Sequence, residues 1–131
     1  MNAVVETIRF TRTFPGRADQ VRHARHEVAR HLTACKCPVT ADAVLIISEF
    51  AANAVLHSSS HNEFFTVRAT LFPGYVQIEC EDLGGHWNRR PGDPDRPHGL
   101  DVVEALAGAD GWGVIGGSPG RVVWARLEFG Q

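Results

Sequence analysis

The spacing of apolar residues along this chain changes several times, and each change marks an element. From Thr7 to Phe14 it alternates, with Ile8, Phe10 and Phe14 on one side and polar residues on the other, until Pro15-Gly16 interrupts it. A period of two predicts a half-buried strand. Val21, Ala24, Val28, Ala29 and Leu32 then recur at helical spacing, while Arg22, Arg25, Arg30, His23, His26 and His31 fill much of the remaining surface. This predicts an amphipathic first helix with a basic outer side. Beyond Pro38-Val39, Thr40 is placed to cap a second helix, and Asp42 stands in its first turn, where the helix dipole favours a negative charge. That second helix, from about Ala41 to His57, is apolar almost without a break, which predicts burial over most of its circumference. Ser58 to Asn62 is a turn-rich exit.

Alternation then returns twice. Phe65, Val67, Ala69 and Leu71 share one face of one run, and Val76, Ile78 and Cys80 share one face of the next, with Pro73-Gly74 between them. The pair predicts a β-hairpin. Residues 86–97 are polar and broken by Pro91, Gly92, Pro94 and Pro97, with Arg89, Arg90 and Arg96 among them, and are expected to form a mobile loop or lid. His98-Gly99-Leu100 opens a short helix buried through Leu100, Val103, Leu106 and Ala107 and stopped by Gly108. A last hairpin joins residues 111–115 to a strand in which Val123, Ala125, Leu127 and Phe129 alternate with polar residues. The order strand, helix, helix, hairpin, loop, helix, hairpin predicts an α+β two-layer sandwich, with helices packed on one face of a mainly antiparallel sheet.

Composition narrows the classes of function. With 131 residues, 44% of them hydrophobic, the chain is expected to form one domain over residues 1–131 with a sizeable core. A formal net charge of −2 with mixed signs argues against a protein that coats nucleic acid or a membrane surface. No apolar run is long enough to span a bilayer, and the first twenty residues lack a continuous apolar segment, so a cytoplasmic protein is expected. Three cysteines, an odd number, do not make a disulfide framework. Cys35 and Cys37 near His26 and His31 supply one Cys-x-Cys without the second ligand pair of a zinc site.

The candidate chemistry lies where polar residues interrupt apolar ones. Glu49, Asn53 and His57 stand four apart, so on a helix they form one line along a face. Burying a carboxylate and a carboxamide there is unfavourable unless something polar occupies the space above them. That partner is either a ligand or a neighbouring loop. Continuing the alternation of Val76, Ile78 and Cys80 brings Asp82 to the inner face at the end of its strand, where a lone acid needs a partner, and Gly84 and Gly85 follow directly. Gly99 at a helix start after a basic loop is a favourable place for phosphate, because free N–H groups and the dipole point there, although a glycine used only for turning has the same pattern.

Glu49-Phe-Ala-Ala-Asn53-Ala-Val-Leu-His57, Asp82-Leu-Gly84, His98-Gly99-Leu100 and Gly120-Arg-Val-Val-Trp124 occur in the order and spacing of the four nucleotide-binding boxes of the GHKL ATPase superfamily, which includes histidine kinases, type II topoisomerases and MutL proteins. Within it the chain most resembles the RsbW-like anti-sigma factor serine/threonine kinases. The resemblance implies a Bergerat-type ATP-binding fold with ATP and Mg2+ as cofactors. It makes Asn53 the Mg2+ ligand, Glu49 the acceptor of a proton from the attacking hydroxyl, and Asp82 the acceptor of the adenine amino group. It also implies that Gly84 lets the base lie against the backbone, and that His98, Gly99 and Leu100 sit at the phosphates below an ATP lid formed by 86–97. Three positions depart from the pattern: Gly85 comes one residue early with His86 in the expected place, Pro97 replaces a glycine, and Val122 stands where a threonine near the adenine is common.

The resemblance implies that the chain phosphorylates a serine or threonine on a STAS-type anti-sigma-factor antagonist and holds a sigma factor inactive; family members commonly pair as homodimers, which makes a homodimer one possible state here. The substituted box positions motivate an alternative, a non-catalytic regulator that docks a transcription factor with nucleotide structural or absent.

Overall fold

The computed structural model describes residues 7–56, 63–84, 99–116 and 120–130. Several sequence expectations fall outside them: His57, the exit turn 58–62, the loop 86–97 with Gly85, and His98. The elements are β1 (Ile8–Pro15), α1 (Ala18–Ala34), α2 (Thr40–Leu56), β2 (Phe64–Phe72), β3 (Tyr75–Asp82), α3 (Gly99–Ala107), β4 (Trp112–Gly116) and β5 (Arg121–Glu128). The strands form one sheet in the order β1-β2-β3-β5-β4, with every neighbouring pair antiparallel. The helices cover one face, giving the expected α+β sandwich.

The core lies between these layers and follows the periodicities of the chain. Ala24, Val28 and Leu32 of α1 are buried, as are Phe65, Val67 and Ala69 of β2, Val76, Ile78 and Cys80 of β3, and Val123, Ala125 and Leu127 of β5. Helix α2 is central: it packs on α1, α3 and β3 and buries Ala43, Ile46, Ile47, Phe50, Ala51, Asn53, Ala54 and Val55. The large side chains among these each contribute about 1.5–3 kcal/mol through burial, so α2 anchors the helical layer.

The ends of the helices refine the sequence reading. α1 closes with Lys36 in the left-handed region at φ 59°, the Cys37 N–H on the Leu32 carbonyl at 3.0 Å, and the Lys36 N–H on the Thr33 carbonyl at 3.0 Å. These two bonds make a Schellman cap, built here on a lysine where glycine is usual. Cys37 is its buried outer residue. Thr40 is the first residue of α2 rather than its cap, and its hydroxyl donates to the Cys37 carbonyl at 2.8 Å. The basic outer side of α1 is interrupted by Glu27, which lies 3.4 Å from Arg12, 3.6 Å from Arg30 and 3.6 Å from His23.

The β2–β3 hairpin turns at Pro73-Gly74, with Phe72 opposite Tyr75 and Gly74 at φ 86°. Proline fixes a negative φ at the first turn position, so the positive angle falls on the glycine. The Gly74 carbonyl accepts the Phe129 N–H at 2.9 Å, which ties the turn to the end of β5. This leaves the other end of β3, at Asp82, on the side of the sheet where β5 begins.

Candidate functional site

Glu49 and Asn53 project from α2 one turn apart, Glu49 half-buried and Asn53 buried. The position of Glu49 is fixed by its contact with the start of α3. A Cβ added at Gly99 would collide with the Glu49 carboxylate and come within 3.0 Å of its Cβ and 3.1 Å of its Cδ. Gly99 is therefore required for the close approach of α3 to α2, whatever else it binds. The carboxylate lies against the first residue of α3, where unsatisfied N–H groups and the dipole favour an anion. Leu100, the next residue, is fully buried and seats the start of α3 in the core.

Asn53 is only 6% exposed, and its Nδ2 has no hydrogen-bond partner among the described residues. A buried amide left this way is unfavourable by about 1–3 kcal/mol, which marks a place for a polar group. Among the described residues, no three histidine, cysteine, aspartate or glutamate side chains cluster to hold a metal ion. The orphaned NH2 is a donor and calls for an acceptor such as a phosphate or water oxygen, while the amide oxygen of the same group is of the type a small hard cation takes alongside phosphate and water oxygens.

At the end of β3, Asp82 faces inward, as the alternation predicts. Its Oδ1 accepts the Gly84 backbone N–H at 2.6 Å, and its Oδ2 accepts an Nη2 proton of Arg121 at 3.0 Å. Both side chains are 3% exposed. Gly84 has φ 82°, a conformation that favours glycine, and this turn brings its N–H back onto the acid. Burial raises the Asp82 pKa, against the opposing pull of the Arg121 hydrogen bond and the Gly84 N–H. Burial likewise pushes the neighbouring Cys80 thiol upward, helped by the Asp82 charge, so that sulfur remains a protonated core group.

Arg121 is the residue beside Asp82 that the sequence reading passed over. It stands directly opposite Asp82 in the β3–β5 register and shares the inner face with Val123, Ala125 and Leu127. Counting two residues back from Val123 would have found it. Val122, considered as the counterpart of a threonine near the base, pairs instead with Glu81, on the alternate face of both strands. The inward residue at the start of β5 is the arginine.

The structure thus brings Glu49 to Gly99, and Asp82 to Gly84, on elements that share α2 as their neighbour. His98 lies outside the described residues. No described helix is long and apolar enough to cross a membrane.

Comparison with known proteins bears on the family and the fold. The sequence model of the histidine kinase-like ATPase domain matches residues 14–115. No curated protein sequence matches the chain. Among solved structures, the RsbU and RsbW domains of Rv1364c from Mycobacterium tuberculosis share the fold, with a TM-score of 0.73 and 22% sequence identity over 95% of this chain. The match spans 33% of that longer chain.

Proposed function

Because the chain belongs to the histidine kinase-like ATPase domain family, we propose that it binds Mg-ATP and works as an RsbW-like anti-sigma factor. In this reading it phosphorylates a serine or threonine of a STAS-type antagonist and sequesters a sigma factor, so that transcription is regulated by partner switching. The observation that carries the reading is the placement of the Glu49 carboxylate on α2 against the first residue of α3, with buried Asn53 one turn away lacking a partner for its Nδ2 among the described residues.

Each residue then has a role that its surroundings support. When bound, Mg-ATP supplies the transferable γ-phosphoryl group and the charge neutralisation that transfer requires. Asn53 gives an amide oxygen to the cation and has its NH2 free for a phosphate oxygen or water. Gly99 and Leu100 offer backbone N–H groups at the α3 terminus. Glu49 takes the proton of the attacking serine or threonine hydroxyl as its oxygen bonds to phosphorus and the bond to the ADP oxygen breaks. Asp82 accepts an amino proton of the base, and Gly84 leaves room for the base beside the backbone.

Glu49→Gln keeps the shape of the side chain and removes its basicity. Transfer of labelled γ-phosphate to a STAS-type protein is expected to fall about 10²–10⁴-fold, with ATP affinity retained. An unchanged transfer rate would remove the general-base role. The partnered state of Asp82, with donors already on both oxygens, favours a second reading, in which the chain regulates by docking alone. A stable complex with a sigma factor that forms without nucleotide, together with no phosphate transfer to any STAS-type protein, is the outcome that reading requires.

A further inference from the structure

The buried ion pair at the end of β3 has a consequence for which base the site accepts. Asp82 and Arg121 face each other across the β3–β5 register, 3.0 Å apart and almost wholly out of solvent, and the Gly84 N–H holds the second carboxylate oxygen at 2.6 Å. Two donors on two different oxygens fix both the position and the rotation of the carboxylate. Each oxygen retains a further lone-pair direction. Among the described residues, the charges that act on the acid are those of Arg121 and Glu81. Glu81 is turned to the opposite face of β3, where Arg68 of β2 binds it, and Cys80 on the inner face is a protonated thiol.

We propose that Arg121 is a specificity-positioning residue: it holds Asp82 as an ionised, acceptor-only carboxylate, so that the site takes a purine presenting an amino group and rejects one presenting a carbonyl at the same position. This rests on the nucleotide-binding reading above and deepens it. An ionised carboxylate has no proton to donate. Facing an amino group it gains a charge-assisted hydrogen bond; facing a carbonyl it sets acceptor against acceptor and leaves both desolvated. Without the guanidinium, burial would favour the neutral acid, whose O–H can donate to a carbonyl. Arg121 therefore decides whether Asp82 reads one purine edge or two.

ATP and inosine triphosphate differ at this position, amino against carbonyl, and at the adjacent N1, bare in the first and protonated in the second, and are otherwise close in shape. Their dissociation constants, measured by calorimetry at pH 6 and pH 8, test the assignment in the unaltered protein, Arg121→Lys, Arg121→Met and Asp82→Asn. The unaltered protein is expected to prefer ATP by roughly 10- to 100-fold, the range of one charge-assisted hydrogen bond, with little change between the two pH values. Arg121→Lys keeps the charge and should retain most of the preference. In Arg121→Met the carboxyl titrates higher, so its protonated fraction grows as pH falls, and the preference should shrink more at pH 6 than at pH 8. Asp82→Asn carries both a donor and an acceptor and should bind the two triphosphates within a few-fold of each other at both pH values, which keeps the test open if Arg121→Met does not fold. A preference in Arg121→Met as large and as pH-independent as in the unaltered protein would overturn the role of Arg121, as would ATP and inosine triphosphate binding the unaltered protein equally. Folded protein that binds neither triphosphate would overturn the nucleotide-binding reading itself, and this assignment with it.

Discussion

Gly99 joins two requirements at one atom. Its missing Cβ leaves the space that the Glu49 side chain occupies, and its N–H belongs to the open end of α3. Gly99→Ala is expected to destabilise the fold by about 1–3 kcal/mol, as overpacking at a tight contact does. Because most of the clash is with Glu49, the loss should be largely relieved in Gly99→Ala combined with Glu49→Ala, giving a coupling of at least about 1 kcal/mol in a double-mutant cycle by urea unfolding. Additive effects would mean that the helix start is strained for another reason. At this scale much of the site could be read from the chain: the four-residue spacing of Glu49 and Asn53, the alternation that turns Asp82 inward, and the glycine at the α3 start all follow from sequence. Arg121 did not, because an arginine beginning a strand reads as solvent-facing until its cross-strand partner is known to be a buried acid.

Elements show the same division between local and non-local information. Helix α2 declares its burial through composition, and eight of its residues are buried, while Leu45 and Leu56 stand exposed on the outer side. The end of α1 carries no glycine, and its stop is invisible to a reading that looks for one, yet Lys36 adopts the left-handed conformation that a Schellman cap needs. A lysine in that region bears a penalty of about 1–2 kcal/mol that glycine escapes. Against this, glycine loses more chain entropy on folding, so Lys36→Gly is expected to stabilise the protein by about 0.5–1 kcal/mol. The urea midpoint should rise with an unchanged m-value. A fall in the midpoint would show that the lysine side chain supports the cap in some other way.

For the whole molecule, the two hairpins and the segregation of helices to one face follow from the order of elements. The sheet order does not. β1 pairs with β2 across two intervening helices, and β5 inserts between β3 and β4, pairings about which local periodicity carries no information. The β3–β5 pairing sets Arg121 against Asp82 on the face covered by the helices, while α2 carries Glu49 to the start of α3. The central claim is that these two ends belong to one nucleotide site. Calorimetric titration of ATP into the folded protein, with and without Mg2+, tests it most directly when repeated on Asn53→Ala. The account expects saturable one-to-one binding that Mg2+ strengthens, with the strengthening lost in the variant. No binding to the folded protein under either condition would contradict it.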